Sequence, residues 1–296
     1  MPAESITAML DRALEGRYAV GYFESWNLES LQGVIDAAEE TRSPVLVGFN
    51  GQFLSRPGRL TAERISWYAA LARAAAESAS VPCGLIFNEC AQDDWVRAAV
   101  TSRFGQVMLD DPDADPEDYI RRVAELTDFA HQHGVAVEAE VGELPCGSSK
   151  SPDHASGSLT DPEAAARFVK QTGIDILAVS VGNVHELLQG EQALDLGLLA
   201  AIRQRVDLPL DLHGGSGIPP ADLQAAISLG VAKVCYGTYV KQRYLTAVRT
   251  ALGNDEPNPH HLLGHGGPED VMVAGRLAVR DAVLERIESL GCCGRA

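Results

Sequence analysis

Basic residues are scarce in this chain: 24 Lys and Arg stand against 41 Asp and Glu, a formal charge of -17 at pH 7. Binding nucleic acid through its phosphates takes a basic face, so the composition argues against that class of partner. An anionic small molecule would have to be held by backbone NH groups, a metal or a local lysine. A membrane span is missing too, since no apolar run approaches the roughly 20 residues that a bilayer requires. The opening MPAESITAMLDRALEGR turns charged and helical before a signal-peptide core forms. Cysteine is sparse and unpatterned: the six, at 83, 90, 146, 235, 292 and 293, contain no CxxC spacing. The adjacent Cys292 and Cys293 are badly placed for a mutual disulfide. These absences are those expected of a cytoplasmic protein in a reducing compartment, with neither nucleic acid nor membrane as partner.

What the chain does have is material for a full core, 46% hydrophobic and 22% charged over 296 residues, and a regular alternation. Short apolar runs at 18–24, 44–50, 82–89, 106–110, 135–142, 176–182, 208–215 and 232–238 alternate with amphipathic stretches such as LESLQGVIDAAEETR and PEDYIRRVAELTDFAHQHG. Runs of this length read as strands, and the stretches between them, opened by Asp or Pro and closed by Gly, read as helices. Eight such units predict an α/β fold, a (β/α)8 TIM barrel occupying 1–296 as a single domain. The last segment, PEDVMVAGRLAVRDAVLERIESLG, adds a C-terminal helical extension. Two stretches break the rhythm. Residues 143–160, rich in Gly, Ser and Pro, read as a mobile loop at the barrel mouth, and 253–268 form a second irregular connection.

In such barrels chemistry gathers where the strands end. The ends here carry Glu24, Asn50, Asn88 with Glu89, Asp110, Glu140, His185 just past Gly182, His213 and Thr238. Burying these groups without partners costs several kcal/mol each, so they are expected to meet one another, a metal or a substrate. His185 and His213 follow neighbouring strands; with Glu89 and Glu140 on the same rim they suit zinc, iron or manganese. His131 and His133 close a helix, His154 lies in the 143–160 loop, and His260, His261 and His265, close enough in sequence to suggest another metal site, take the bland reading. HGGSGIPP after the seventh strand is either a plain glycine turn or an anion seat, in which Gly214, Gly215 and Gly217 admit a ligand to the backbone. Trp26 either narrows the mouth or packs over the rim.

Nearly the whole chain resembles the class II, metal-dependent ketose-bisphosphate aldolases. The similarity is carried by YAVGYFESWNLES, SPVLVGFNG, VMLDD, VEAEVGEL, LTDPEAAARFVKQTGIDILAVSVGNVH, LDLHGGSGIP and ESLGCCGRA. The resemblance implies that two zinc-binding histidines fall on His185 and His213, and an alternative metal-side glutamate on Glu140. It also implies departures. The family's strand-three Asp-His pair, an acid/base and the first zinc ligand, is Asn88 and Glu89 here; an amide cannot shuttle a proton, while glutamate still ligates. The acidic residue of the family's mobile loop aligns with Ser148, and the glycine after the strand-six histidine is Glu186. On strand eight an Asn-x-x-Thr followed by an acid becomes Cys235, Tyr236, Gly237, Thr238 and Tyr239. Of the phosphate-binding elements, Gly214, Gly215, Ser216 and Thr238 remain.

The resemblance therefore implies a divalent metal, zinc before iron or manganese, held by Glu89, His185 and His213 with Glu140 beside them. Asn88 occupies the family's catalytic position, and Glu24, Asp110 and Glu143 are candidates for the lost proton transfer. The expected activity is an aldolase-type carbon-carbon lyase acting on a ketose phosphate or related carbonyl compound through a metal-stabilised enediolate, with altered substrate or chemistry. The alternative is a non-catalytic sugar-phosphate-binding or subunit-partner barrel with a degenerate metal site. Family members form dimers or larger assemblies, so a homo-oligomer is expected, with the last helix as its contact.

Overall fold

Eight parallel strands close on themselves in chain order in the computed structural model, which describes residues 4–147, 157–253 and 255–296. They are β1 (Val20–Glu24), β2 (Val45–Asn50), β3 (Cys83–Cys90), β4 (Gln106–Leu109), β5 (Ala136–Val141), β6 (Ile176–Val179), β7 (Leu210–Leu212) and β8 (Val231–Tyr236). The helices are α1 (Ile6–Gly16), α2 (Leu28–Thr41), α3 (Gly51–Ser55), α4 (Ile65–Ser78), α5 (Asp93–Thr101), α6 (Pro116–His131), α7 (Pro162–Thr172), α8 (Leu196–Arg203), α9 (Pro220–Ser228), α10 (Thr238–Leu252), α11 (Pro259–Leu262) and α12 (Val271–Ile287). Each expected apolar run holds one strand. The sixth and seventh strands end short of the expected runs, at Val179 and Leu212; Ser180 N donates to Thr160 Oγ1 at 2.8 Å instead, and Gly182 and Gly214 follow at positive φ.

Local chemistry fixes the helix starts. Asp115 and Asp161 accept hydrogen bonds from the first-turn amides of α6 and α7, and in each a proline follows at the first helical position. The short α3 is absent from the sequence pattern; Asn50 creates it by capping Phe53 N at 3.3 Å. At the other end, α12 packs against α2 and α10, pinned by the two-pronged ion pair of Arg276 with Asp36 at 2.6 and 2.7 Å. Among the described residues no helix is long and apolar enough to cross a membrane.

Two features of the barrel position the site. Alternate residues of a strand share a face, so Glu138 lies beneath Glu140, Asp211 beneath His213, and Lys233 beneath Cys235. Glu138, Asp211 and Lys233 are fully buried, a charged layer directly under the mouth. The second feature is a bulge. Phe87 pairs with Val107 but Cys90 with Leu109, so β3 carries one residue more than β4 over that interval, and Glu89 sits at a left-handed φ of 47°. Regular alternation would send Asn88 and Glu89 to opposite faces. The extra residue and the positive φ re-aim the strand end, and both side chains line the same cavity.

Candidate metal centre and its cavity

The mouth of the barrel holds a cavity of about 640 Å³. At its floor, the carboxylate of Glu89 stands between two imidazoles: Oε1 lies 2.7 Å from His213 Nδ1 and 3.5 Å from His185 Nε2. One donor atom from each residue falls within 4.8 Å of the others. Ligands bound tetrahedrally to a common ion at about 2.0–2.2 Å stand roughly 3.4 Å apart, so this donor set fits a divalent metal with little adjustment. The other oxygen of Glu89 accepts a hydrogen bond from Asn50 Nδ2, which fixes the carboxylate. Burial pushes the Glu89 pKa up, but His185 and His213 outweigh it and hold it at about 2, so this group is a ready anion at neutral pH.

The charged layer beneath completes His213. Its Nε2 lies 3.0 Å from Glu138 Oε1 and 3.1 Å from Asp211 Oδ2. Lys233 Nζ joins these two carboxylates at 2.5 and 2.9 Å, and Gln106 Nε2 donates to Glu138 at 2.6 Å. A ligand histidine whose far nitrogen is tied to carboxylate is held in one tautomer and orientation. Burial opposes charge on His213 and Lys233, yet the surrounding acids, with Cys235 beside them, raise both pKa values well above normal. Asp211, His213 and Cys235 form a second group with metal-ligand spacing. There the Lys233 ammonium already supplies the positive charge to Asp211.

The remaining candidates distribute around this centre. Glu140 approaches His213 Nδ1 only to 4.0 Å, outside the triad, and burial raises its pKa well above the carboxylate range. Asp110 lines the cavity with one oxygen, Oδ2, accepting from Gln52 Nε2 at 2.8 Å. Burial first, and the charge of Glu89 second, push its pKa up to about 6. Asn88 lines the cavity and is 2% exposed, and its buried Oδ1 has no partner among the described residues. The nearby Tyr22 hydroxyl is buried and unpartnered in the same way. Glu143 lines the cavity and pairs through its backbone with Ser158. Ser148 and His154 lie outside the described residues.

Glu24 is tied to Lys241 Nζ at 2.6 Å, and burial raises its pKa against the pull of that ammonium. Lys241 also lies over the Phe53 ring at 4.2 Å. Glu24→Gln is expected to release Lys241 toward the cavity and tighten binding of inorganic phosphate by roughly three- to tenfold, read by titration calorimetry. Weaker binding would mean that Glu24 holds the ammonium in its useful place.

A glycine turn and the start of α10 hold the residues expected to seat an anion. Gly214, Ser216 and Thr238 line the cavity, while Gly215 faces inward against Val234 and Tyr236. Gly214 is at positive φ, and a Cβ there would run into the carbonyl of Val184, so only glycine fits. Glu186 lines the cavity and keeps a left-handed φ of 53°, a conformation natural to the glycine of the family pattern. The 143–147 segment is stapled beside it: Gly147 N donates to His185 O at 2.8 Å and His185 N to Pro145 O at 2.9 Å. Trp26 packs edge-on against Tyr244, ring centroids 5.1 Å apart, and takes the rim position, away from the cavity lining. His261 and His265 form a ring pair 5.2 Å apart that belongs to neither metal-spaced group among the described residues.

A closed parallel barrel whose strand ends converge on two histidines, a carboxylate and a glycine turn is the frame of an aldolase-type lyase. The profile of the family described as fructose-bisphosphate aldolase class-II matches residues 4–295, and the chain belongs to that family. It is 33% identical over 300 residues to the fructose-bisphosphate aldolase of Geobacillus stearothermophilus, covering 100% of this chain and 99% of that protein. It is 35% identical over 284 residues to the uncharacterized protein YdjI of Escherichia coli strain K12, 96% of each chain. The crystal structure of the YdjI aldolase from that strain superposes with a TM-score of 0.80 at 33% identity and full coverage of both chains. A putative fructose-1,6-bisphosphate aldolase from Coccidioides immitis superposes at 0.81 with 25% identity, covering 98% of this chain and 97% of the other.

Proposed function

We propose that this class-II aldolase-type protein is an active, metal-dependent carbon-carbon lyase whose substrate or chemistry differs from fructose-bisphosphate cleavage. One observation carries the reading. Glu89, His185 and His213 form a complete donor set, while Asn88 beside them presents an unpartnered buried acceptor to the cavity. A divalent ion in the triad, zinc first and iron or manganese next, would supply the Lewis acid that stabilises negative charge on a carbonyl oxygen and its enediolate. Glu140 stands as a neighbouring contact.

The chain's own residues do the rest. The Gly214–Ser216 turn and Thr238 hold the phosphate of a ketose phosphate with backbone NH groups and the α10 N-terminus. Asn88 Oδ1 accepts a hydrogen bond from a neighbouring substrate hydroxyl, one that keeps its proton, and so positions the chain. Asp110 Oδ1, the oxygen left open by Gln52, takes the proton of the hydroxyl next to the bond that breaks, as that hydroxyl becomes an aldehyde and the bonding pair moves toward the ketone carbon. A carboxylate with its pKa near 6 is well matched to proton transfer at neutral pH. Asp110→Asn should therefore lower kcat about 100-fold. Because a raised carboxylate becomes a base only as pH climbs through its pKa, the wild-type rate should rise across pH 6 and the variant's should not. An unchanged profile would move the role to Glu24 or Glu143.

The reading is tested without knowing the aldehyde. Glycerone phosphate, the three-carbon half released from any ketose 1-phosphate cut between C3 and C4, is incubated with the protein in deuterium oxide. Exchange of its carbon-bound proton, abolished by a chelator and restored by one of zinc, iron or manganese, is the expected result. No exchange with any of the three would leave a binding barrel on an aldolase frame.

A further inference from the structure

Strand β1 brings to the cavity a hydroxyl that the chemistry above leaves unused. Tyr22 and Glu24 alternate onto the inner face of the barrel, and both line the cavity. Tyr22 is 2% exposed, and its buried Oη has no partner among the described residues. A buried hydroxyl without a partner weakens the fold, and one that borders a cavity regains the loss when a bound molecule completes it.

The ring is firmly seated. It stands over the Lys233 ammonium, Nζ lying 5.5 Å from the ring centroid, and its backbone pairs with Cys235 of β8. Burial first, and the charge of Glu24 next, raise the tyrosine pKa well above its ordinary value, so the hydroxyl keeps its proton and can donate. The carboxylates about it are already engaged. Lys241 binds Glu24, Asn50 and the two imidazoles surround Glu89, and Lys233 with His213 holds Asp211. The donor is left for a molecule in the cavity.

Position selects what it meets. Cys235, its partner in register, stands where the family pattern has asparagine, and its thiol turns to Asp211 Oδ2 at 3.2 Å, so residue 235 presents no amide NH to the cavity. Thr238 follows β8 and the glycine turn follows β7, both on the side of the mouth next to β1, while Glu89 stands on β3. A ketose phosphate anchored at that turn and reacting over the triad brings its ketone oxygen between the two, above the floor that Tyr22 forms.

We propose that Tyr22 is a further catalytic residue whose hydroxyl donates a hydrogen bond to the ketone oxygen of the substrate, where negative charge gathers as the carbon-carbon bond breaks. The identity of that oxygen rests on the lyase reading above. A donor fixed in a dry floor before reaction pays no reorganisation, and its bond strengthens as the charge grows.

Tyr22→Phe isolates the hydroxyl, because the ring and its place over Lys233 remain. Two ligands are titrated calorimetrically into the purified proteins: glycerone phosphate, and 3-hydroxypropyl phosphate, in which a methylene replaces the ketone. The variant should bind glycerone phosphate about five- to tenfold more weakly, and 3-hydroxypropyl phosphate within about twofold of wild type. It should carry as much metal as wild type by elemental analysis, and melt at least as high, since a stranded polar atom has been removed. Equal losses for both ligands, no loss for either, or a variant that melts lower or holds less metal overturns the proposal. Absence of deuterium exchange in wild type counts against the lyase reading alone, since the contrast between the two ligands is read at equilibrium.

Discussion

Replacing Glu89 by alanine is expected to empty the metal centre: bound metal in the purified protein should fall from about one equivalent to background, and deuterium exchange from glycerone phosphate should fall with it. The carboxylate is the anionic member of the triad, and its removal leaves two imidazoles, one of which, His185, is part-exposed. Elemental analysis of wild type, Glu89→Ala and Glu89→Gly separates the causes of any change. Residue 89 sits at φ 47°, a conformation that strains every side chain and spares glycine. Glycine should therefore melt higher than alanine while holding equally little metal. Glu89→His should retain metal, since imidazole is a ligand of the same class of ion. A Glu89→Ala protein that keeps its full equivalent would place the metal elsewhere and remove the basis for the proposed chemistry.

The second large effect is expected one layer down. Lys233→Met should cost about 3–5 kcal/mol of folding stability, measured by denaturant unfolding at neutral pH. The ammonium is fully buried and bonded to both Glu138 and Asp211, so its loss strands two carboxylates in a dry core. Their folded-state pKa values in the variant then exceed the unfolded ones. The variant's remaining stability should be greatest below the ordinary carboxylate range, near pH 4, and should decline as pH rises through the raised values. Adding Asp211→Leu should recover part of the loss by deleting one stranded charge. A neutral-pH loss below about 1 kcal/mol would mean that the His213 and Gln106 contacts satisfy the two carboxylates without the lysine.

The barrel was legible because eight apolar runs separated by capped amphipathic helices have few other solutions, and Glu89, His185 and His213 stood at the ends of those runs. The layer of Glu138, Asp211 and Lys233 was not read, although a signal existed. Each lies two residues before a mouth residue, and period-two spacing puts both on one face. The bulge in β3 left no such trace. Nothing in PCGLIFNE marks Glu89 as left-handed, because pairing with β4 creates that conformation, and strand pairing is a long-range property. Trp26 went to the rim because Tyr244, 218 positions along the sequence, offers it an aromatic edge.

The extra residue in β3 has an evolutionary consequence. Since backbone register, and not side-chain alternation, brings positions 88 and 89 to the same cavity, the two form a cassette that can be exchanged while the strand, its neighbours and the anion seat stay in place. Asn88-Glu89 here and Asp-His in the family pattern are then two fillings of one socket. Exchanging the pair would take two adjacent codons and no renegotiation of the fold.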